Sequence, residues 1–307
     1  MSVPKVAAVI GAGTMGPGMA AVLARAGSQV RLYDLSREVL DRARGACELA
    51  NQALDRMETA SVPGGSVTFE PDLGTALTGV GLVLETIPED LRLKREVLAA
   101  MEGYLEPDAI IATNTSGIPV SSIASALRHP ARFIGMHWSN PPHLVPMIEV
   151  VPGEQTAAGT TQTIVQVIRA FGYEAITEKE VPGFVENRIL YAILRECLSL
   201  VERGIVSEAD MDTCVKWGIG YKLAVIGPMR LLDMAGLDIY ASVASYLNPD
   251  LSASTGVPEM ITERARAGQL GMKTLGGIYP YTQEQVVERR AEIADGLIAV
   301  RKTLAAL

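Results

Sequence analysis

The sequence predicts two domains: an α/β domain with a mostly parallel sheet over residues 1–182, then an all-α domain over residues 183–307. Three observations carry this prediction. The first half alternates short β-branched runs with stretches of helical spacing, the pattern of strand–helix–strand units. The character changes at Val181-Pro182-Gly183, after which apolar residues recur at helical spacing and strand signals are few. The chain has 307 residues and is 48% hydrophobic, enough for one large core and a smaller second one.

Taken in order, Val6–Ile10 predicts a buried strand, Met15–Ala26 a helix, and Gln29–Tyr33 a second strand ending at Asp34. Ser36–Glu58 is long, polar and helical in spacing. Leu82–Thr86, Ala109–Thr113, Phe133–Met136 and Met147–Val151 are further strand candidates, with helices between most of them. Ala158–Phe171 predicts a helix and Glu174–Thr177 an edge strand. From Asn187, Leu190, Ile193, Leu194, Cys197, Leu200 and Val201 mark one helix face. Further helices are expected around Ser207–Trp217, Pro228–Tyr246, Pro258–Ala267 and Gln283–Leu307.

Net charge is −8, from 27 basic and 35 acidic residues, which argues against nucleic acid or an anionic membrane as partner. The three cysteines, Cys47, Cys197 and Cys214, are widely spaced and form no CxxC pair. That excludes a disulfide framework and a thiolate zinc site, and it fits a reducing cytoplasm. Cys197 and Cys214 are expected as buried fillers on helix faces. Val6 to Ala24 carries no charge, but its four glycines and Pro17 suit a membrane-spanning helix poorly. No membrane partner is expected.

Gly11-Ala12-Gly13-Thr14-Met15-Gly16 is a GxGxxG that follows an apolar strand, opens a helix, and lies in a βαβ unit ending in Asp34. In that context it is the fingerprint of a Rossmann-type dinucleotide site. Gly11 permits the tight turn, Gly13 lets the backbone approach a diphosphate, and Gly16 allows close helix packing. The diphosphate rests on the helix N-terminus, where unpaired N–H groups and the dipole favour an anion. An acid at Asp34 accepts hydrogen bonds from ribose hydroxyls and repels a 2′-phosphate. NAD is therefore the expected cofactor, bound through Gly11, Gly13, Thr14, Met15, Gly16 and Asp34.

Further motifs follow in register. They are Glu85-Thr86-Ile87-Pro88-Glu89-Asp90-Leu91-Arg92-Leu93-Lys94, Asn114-Thr115-Ser116, His137-Trp138-Ser139-Asn140-Pro141, Glu149, and Pro182-Gly183-Phe184-Val185-Glu186-Asn187-Arg188. Their order and spacing resemble the 3-hydroxyacyl-CoA dehydrogenase family along nearly the whole chain, down to Gly271-Met272-Lys273-Thr274 and Tyr279. The resemblance implies His137 as catalytic base and Glu149 as its carboxylate partner. Ser116 and Asn187 match polar residues that bond the reacting oxygen and support the histidine. Glu89 and Lys94, with Asn114, match positions near the nicotinamide and its ribose. The chemistry asks for such a set: when a carbinol loses hydride its hydroxyl proton must also leave, and histidine titrates nearest neutrality. No metal is expected; His137, His143 and Glu149 lack a short metal-ligand spacing. A homodimer through the helical domain is implied as well.

The substrate reading turns on departures from the family pattern. The stretch Asp41–Arg56 carries three arginines against three acids and no lysine, where family members that take CoA esters commonly carry a lysine-rich helix. The segment from His137 to Pro146 resembles relatives that act on small acids. The expectation is therefore oxidation of a small carboxylate-bearing substrate, such as an aldehyde on an electron-poor pyridine ring reacting as its hydrate. A 3-hydroxyacyl-CoA substrate is the alternative, and an inactive NAD-binding structural or sensor protein the third. Arg188, Lys222 and Arg230 are candidates to hold the substrate carboxylate. No activated thiol marks a covalent aldehyde dehydrogenase route.

Overall fold

A computed structural model describes residues 3–307. Two compact units emerge: one runs to Asn187 and includes Leu297–Lys302, the other holds Arg188–Gly296 and Thr303–Leu307.

The first unit runs β1 (Val6–Ile10), α1 (Gly16–Arg25), β2 (Gln29–Tyr33), α2 (Arg37–Arg56), β3 (Ser66–Glu70), α3 (Leu73–Leu77), β4 (Leu82–Glu85) and α4 (Leu91–Glu102). It continues with β5 (Ile110–Thr113), α5 (Val120–Ala124), β6 (Phe133–Trp138), β7 (Met147–Val151), α6 (Ala158–Ala170) and β8 (Glu174–Thr177). The strands form one eight-stranded sheet in the order β3-β2-β1-β4-β5-β6-β7-β8. Every neighbouring pair is parallel except β6–β7. Side chains alternate across each strand, so Ala7 and Val9 pack on one face and Ala8 and Ile10 on the other. The first face meets Met19, Leu23, Leu40, Leu54, Ile164 and Ile168 of α1, α2 and α6. The second meets Leu77, Leu98, Met101 and Ile123 of α3, α4 and α5. Covering both faces is what permits an apolar parallel sheet. Side-chain caps fix the helix starts: Ser36 accepts from the Val39 N–H and Asp90 from the Leu93 N–H.

The helices that follow are α7 (Glu186–Glu202), α8 (Glu208–Cys214), α9 (Tyr221–Val225), α10 (Pro228–Ala235), α11 (Leu237–Leu247), α12 (Glu259–Arg266) and α13 (Gln283–Ala305). A capping box of Thr282 and Gln285 opens α13.

Four differences from the sequence reading have physical causes. β3 lies outside the predicted strands because Ser66-Val67-Thr68-Phe69-Glu70 is an edge strand with no fully buried residue. The helix expected over 228–246 breaks at Gly236, whose φ of +97° ends α10. β6 extends two residues past Met136, so His137 belongs to a strand and not to the loop after it. Cys214 is exposed and Cys197 half-buried, not the buried fillers expected, because helices α7 to α12 bury no residue within the single chain.

Candidate active site

Strand order reverses between β1 and β4, the place in an open α/β sheet where ligands bind. Gly11 adopts φ +109°, and a Cβ there would lie 2.7 Å from the Thr86 carbonyl oxygen. The turn is open to glycine alone. A Cβ on Gly16 would lie 2.0 Å from the Gly11 oxygen and 3.3 Å from Leu32 of β2. A Cβ on Gly13 would meet nothing within 4 Å, so this backbone faces open space. No side chain caps the start of α1, where Thr14 and Met15 lead in, and its first-turn amides are left for a ligand. Asp34 at the end of β2 accepts the Ala12 N–H on Oδ2 and the Ser36 N–H on Oδ1, each at 3.0 Å. Each oxygen keeps a second lone pair for a ribose hydroxyl. The donors, the space and the acid fit NAD.

The neighbouring segment is built on a buried ion network. Glu85, the last residue of β4, is fully buried. Its Oε1 accepts from the Lys94 Nζ at 2.8 Å and the Ile87 N–H at 2.8 Å, and its Oε2 from the Thr113 hydroxyl at 2.6 Å. Lys94, 1% exposed, also reaches Glu89 at 3.4 Å. Glu89 in turn accepts the Thr115 hydroxyl at 2.6 Å and the Ser116 N–H at 3.0 Å. Burial alone would raise the Glu89 carboxyl; Thr115, Lys94 and the Ser116 N–H outweigh it and hold the group below the usual carboxylate range. Lys94 is therefore enclosed in the protein, paired with Glu85 and reaching Glu89. Asn114 accepts the Trp138 N–H on Oδ1 at 2.8 Å, tying the β5 loop to β6.

His137 and Glu149 face each other because the antiparallel register of β6 and β7 pairs them directly, with Nδ1 and Oε2 2.6 Å apart. Oε1 of Glu149 accepts the N–H groups of Glu186 at 2.6 Å and Val185 at 3.0 Å. Burial would raise this carboxyl, but His137 and these two amides hold it below the ordinary value. The Asn187 side-chain amide donates to the Ser116 carbonyl at 2.9 Å, tying the start of α7 to the loop after β5. Phe184 packs against the imidazole with ring centroids 5.6 Å apart.

Sequence reasoning missed Glu85, Glu178 and Glu186. Glu85 carries a legible signal, an acid closing the apolar run Leu82-Val83-Leu84. Glu178 shares the Val185 N–H with Glu149, at 3.2 Å. Burial and the Glu149 charge push its carboxyl up. Glu186 accepts the Ser139 hydroxyl. His137, Glu149 and Glu186 offer donor atoms within 4.8 Å of one another, yet both Glu149 oxygens and the Glu186 carboxylate are already engaged by protein donors. Arg188, Lys222 and Arg230 are exposed residues of the second unit.

This arrangement suits removal of a hydroxyl proton. With Nδ1 donating to Glu149, Nε2 is the nitrogen able to accept one. NAD supplies the hydride acceptor when bound. Comparison with known proteins agrees with that chemistry. Residues 6–181 match "3-hydroxyacyl-CoA dehydrogenase, NAD binding domain" and residues 183–281 match its C-terminal domain. The chain is 50% identical over 300 residues to 5-formyl-3-hydroxy-2-methylpyridine 4-carboxylate 5-dehydrogenase of Mesorhizobium japonicum, covering 97% of each. It is 33% identical to a probable 3-hydroxybutyryl-CoA dehydrogenase of Deinococcus radiodurans, over 89% of this chain and 99% of that one. A crystal structure of a 5-formyl-3-hydroxy-2-methylpyridine 4-carboxylic acid 5-dehydrogenase, described as an NAD+ dependent dismutase, superposes with a TM-score of 0.96 at 49% identity, covering 99% of both chains. The chain belongs to the 3-hydroxyacyl-CoA dehydrogenase family and is an NAD-dependent dehydrogenase.

Proposed function

We propose that the chain oxidises 5-formyl-3-hydroxy-2-methylpyridine 4-carboxylate to the dicarboxylate, with NAD as acceptor. The observation that carries this reading is 50% identity spread over 97% of both chains, against 33% for the CoA-ester relative. The site supports it chemically. An aldehyde on an electron-poor ring hydrates, and its gem-diol is an alcohol. His137 takes one hydroxyl proton at Nε2, Glu149 stabilises the imidazolium, and the carbon yields hydride, so the acid forms without a covalent enzyme ester. Run backwards on an unhydrated aldehyde, the imidazolium would protonate the forming alkoxide, the hydride coming from the reduced cofactor when bound. Two aldehydes and one water then give one acid and one alcohol with NAD unchanged, which is a dismutation.

The test is NADH formation and product analysis across a panel. The pyridine aldehyde is expected to yield acid, and alcohol when NAD is limiting. Turnover confined to 3-hydroxybutyryl-CoA would overturn the reading. A CoA ester needs cations for its phosphates, and the sequence of α2 supplies no lysine for them.

We infer further that the protein works in the cytoplasm as a homodimer. Among the described residues no helix is long and apolar enough to cross a membrane. Helices α7 to α12 bury nothing within the chain, yet present Leu190, Tyr191, Tyr221, Leu237 and Tyr240 exposed, and Trp217 between α8 and α9 is exposed with them. An exposed apolar surface of this kind marks an interface, and a second copy is the partner always available. Sedimentation is expected to give twice the chain mass of 32.7 kDa; a monomer at micromolar concentration would refute it.

A further inference from the structure

The family match ends at residue 281. What lies beyond the family match is α13, and its segment Leu297–Lys302 belongs to the first unit. There Arg301 donates to the carbonyls of His143 and Leu144, at 3.3 and 3.5 Å, and its guanidinium lies 4.9 Å from the Tyr173 ring centroid. The Tyr173 hydroxyl donates to the Pro142 carbonyl at 2.8 Å. Tyr173 and Phe171 also pack on Trp138, the residue after His137. Lys302 pairs with Glu58 at 2.8 Å.

All three carbonyls belong to the loop 139–146, which joins β6 to β7. In a hairpin the connection fixes the register of its strands, and this register sets His137 opposite Glu149. On its other side the loop is pressed onto α1: a Cβ on Gly18 would lie 2.8 Å from Pro142 and 2.9 Å from the His143 Nδ1. Burial and the Arg301 charge hold His143 below its ordinary value.

We propose that Arg301 is a positioning residue for the reaction: from outside the family core, it clamps the β6–β7 loop and so holds the His137–Glu149 pair in its reactive register. The proposal rests on the dehydrogenase reading of the site and deepens it. A displacement of about an ångström at the reacting groups is enough to cost up to about a hundredfold in rate.

The test uses Arg301→Ala in the full chain, with Tyr173→Phe as a second variant that removes one hydroxyl from the same clamp. Three quantities are read: kcat with the pyridine aldehyde, the NADH dissociation constant by fluorescence titration, and the downfield proton resonance of the imidazole N–H held by Glu149. Arg301→Ala is expected to lower kcat about tenfold, to leave NADH affinity within about twofold, and to broaden or lose the resonance. Tyr173→Phe is expected to move the same quantities the same way by less. Unchanged kcat in both variants would overturn the proposal. So would an unaltered resonance, or a loss of NADH binding that matches the loss of activity. If Arg301→Ala does not fold, Tyr173→Phe decides alone. The resonance and NADH binding do not depend on the substrate, so a failure of the substrate reading is distinguishable from a failure of this one.

Discussion

Replacing His137 by alanine is expected to lower kcat by about 10²–10⁴ while NADH binds as before. The reaction needs a proton acceptor at the hydroxyl as the hydride leaves, and the carboxylates around His137 cannot substitute for it. Oε1 of Glu149 is held by the amides of Val185 and Glu186, its Oε2 lies on the Nδ1 side of the imidazole and not at Nε2, and Glu186 holds Ser139. The segment expected to hold the cofactor, Gly11 to Gly16 with Asp34, follows β1 and β2, and β4 and β5 lie between β1 and β6. The substitution also strands Oε2 of a fully buried carboxylate, a cost of about 1–3 kcal/mol in stability. Steady-state NADH formation and a fluorescence titration check both halves. Retained turnover, or NADH affinity lost in step with activity, would remove His137 from the role given to it.

Glu149→Gln is expected to lower kcat about as severely, on the order of 10²–10⁴, because an isosteric amide imposes the wrong tautomer. Its carbonyl oxygen must take the Val185 and Glu186 N–H groups, which turns the NH₂ toward the Nδ1 of His137. Nδ1 then becomes an acceptor, the ring proton moves to Nε2, and the base is blocked. The same carboxyl makes a signed prediction about stability. Its folded-state value lies below the ordinary one, despite the opposing effect of burial. It therefore contributes stability that is fully present above the unfolded carboxylate value, and that is lost as pH falls through the depressed folded value. Thermal melts from neutral pH into the acid range should show a steeper loss for the wild type than for Glu149→Gln. Parallel curves would mean that the carboxyl is not specially stabilised in the fold.

The parts legible in the sequence were those written in local spacing. Val6–Ile10, Gln29–Tyr33, Met147–Val151 and Glu174–Thr177 have the strand limits that their apolar runs predict. The glycine turn and Asp34 declare a βαβ unit by composition alone. What local spacing did not carry was the outcome of pairing. The register of β6 and β7, which sets His137 against Glu149 from 12 residues away, is a property of two strands together. The burial of Lys94 is likewise set by Glu85 at the end of another element, which no local spacing around Lys94 announces. In the second unit, helical periodicity located the helices but could not say what their apolar faces cover, and within one chain those faces of α7 to α12 bury nothing.

The clamp on the β6–β7 loop engages main-chain oxygens at Pro142, His143 and Leu144. Carbonyls are the same whatever side chains they carry, so Arg301 and Tyr173 read the path of the loop and ignore its spelling. The register of the pair that does the chemistry is thus anchored through main-chain atoms, from a helix at the far end of the sequence.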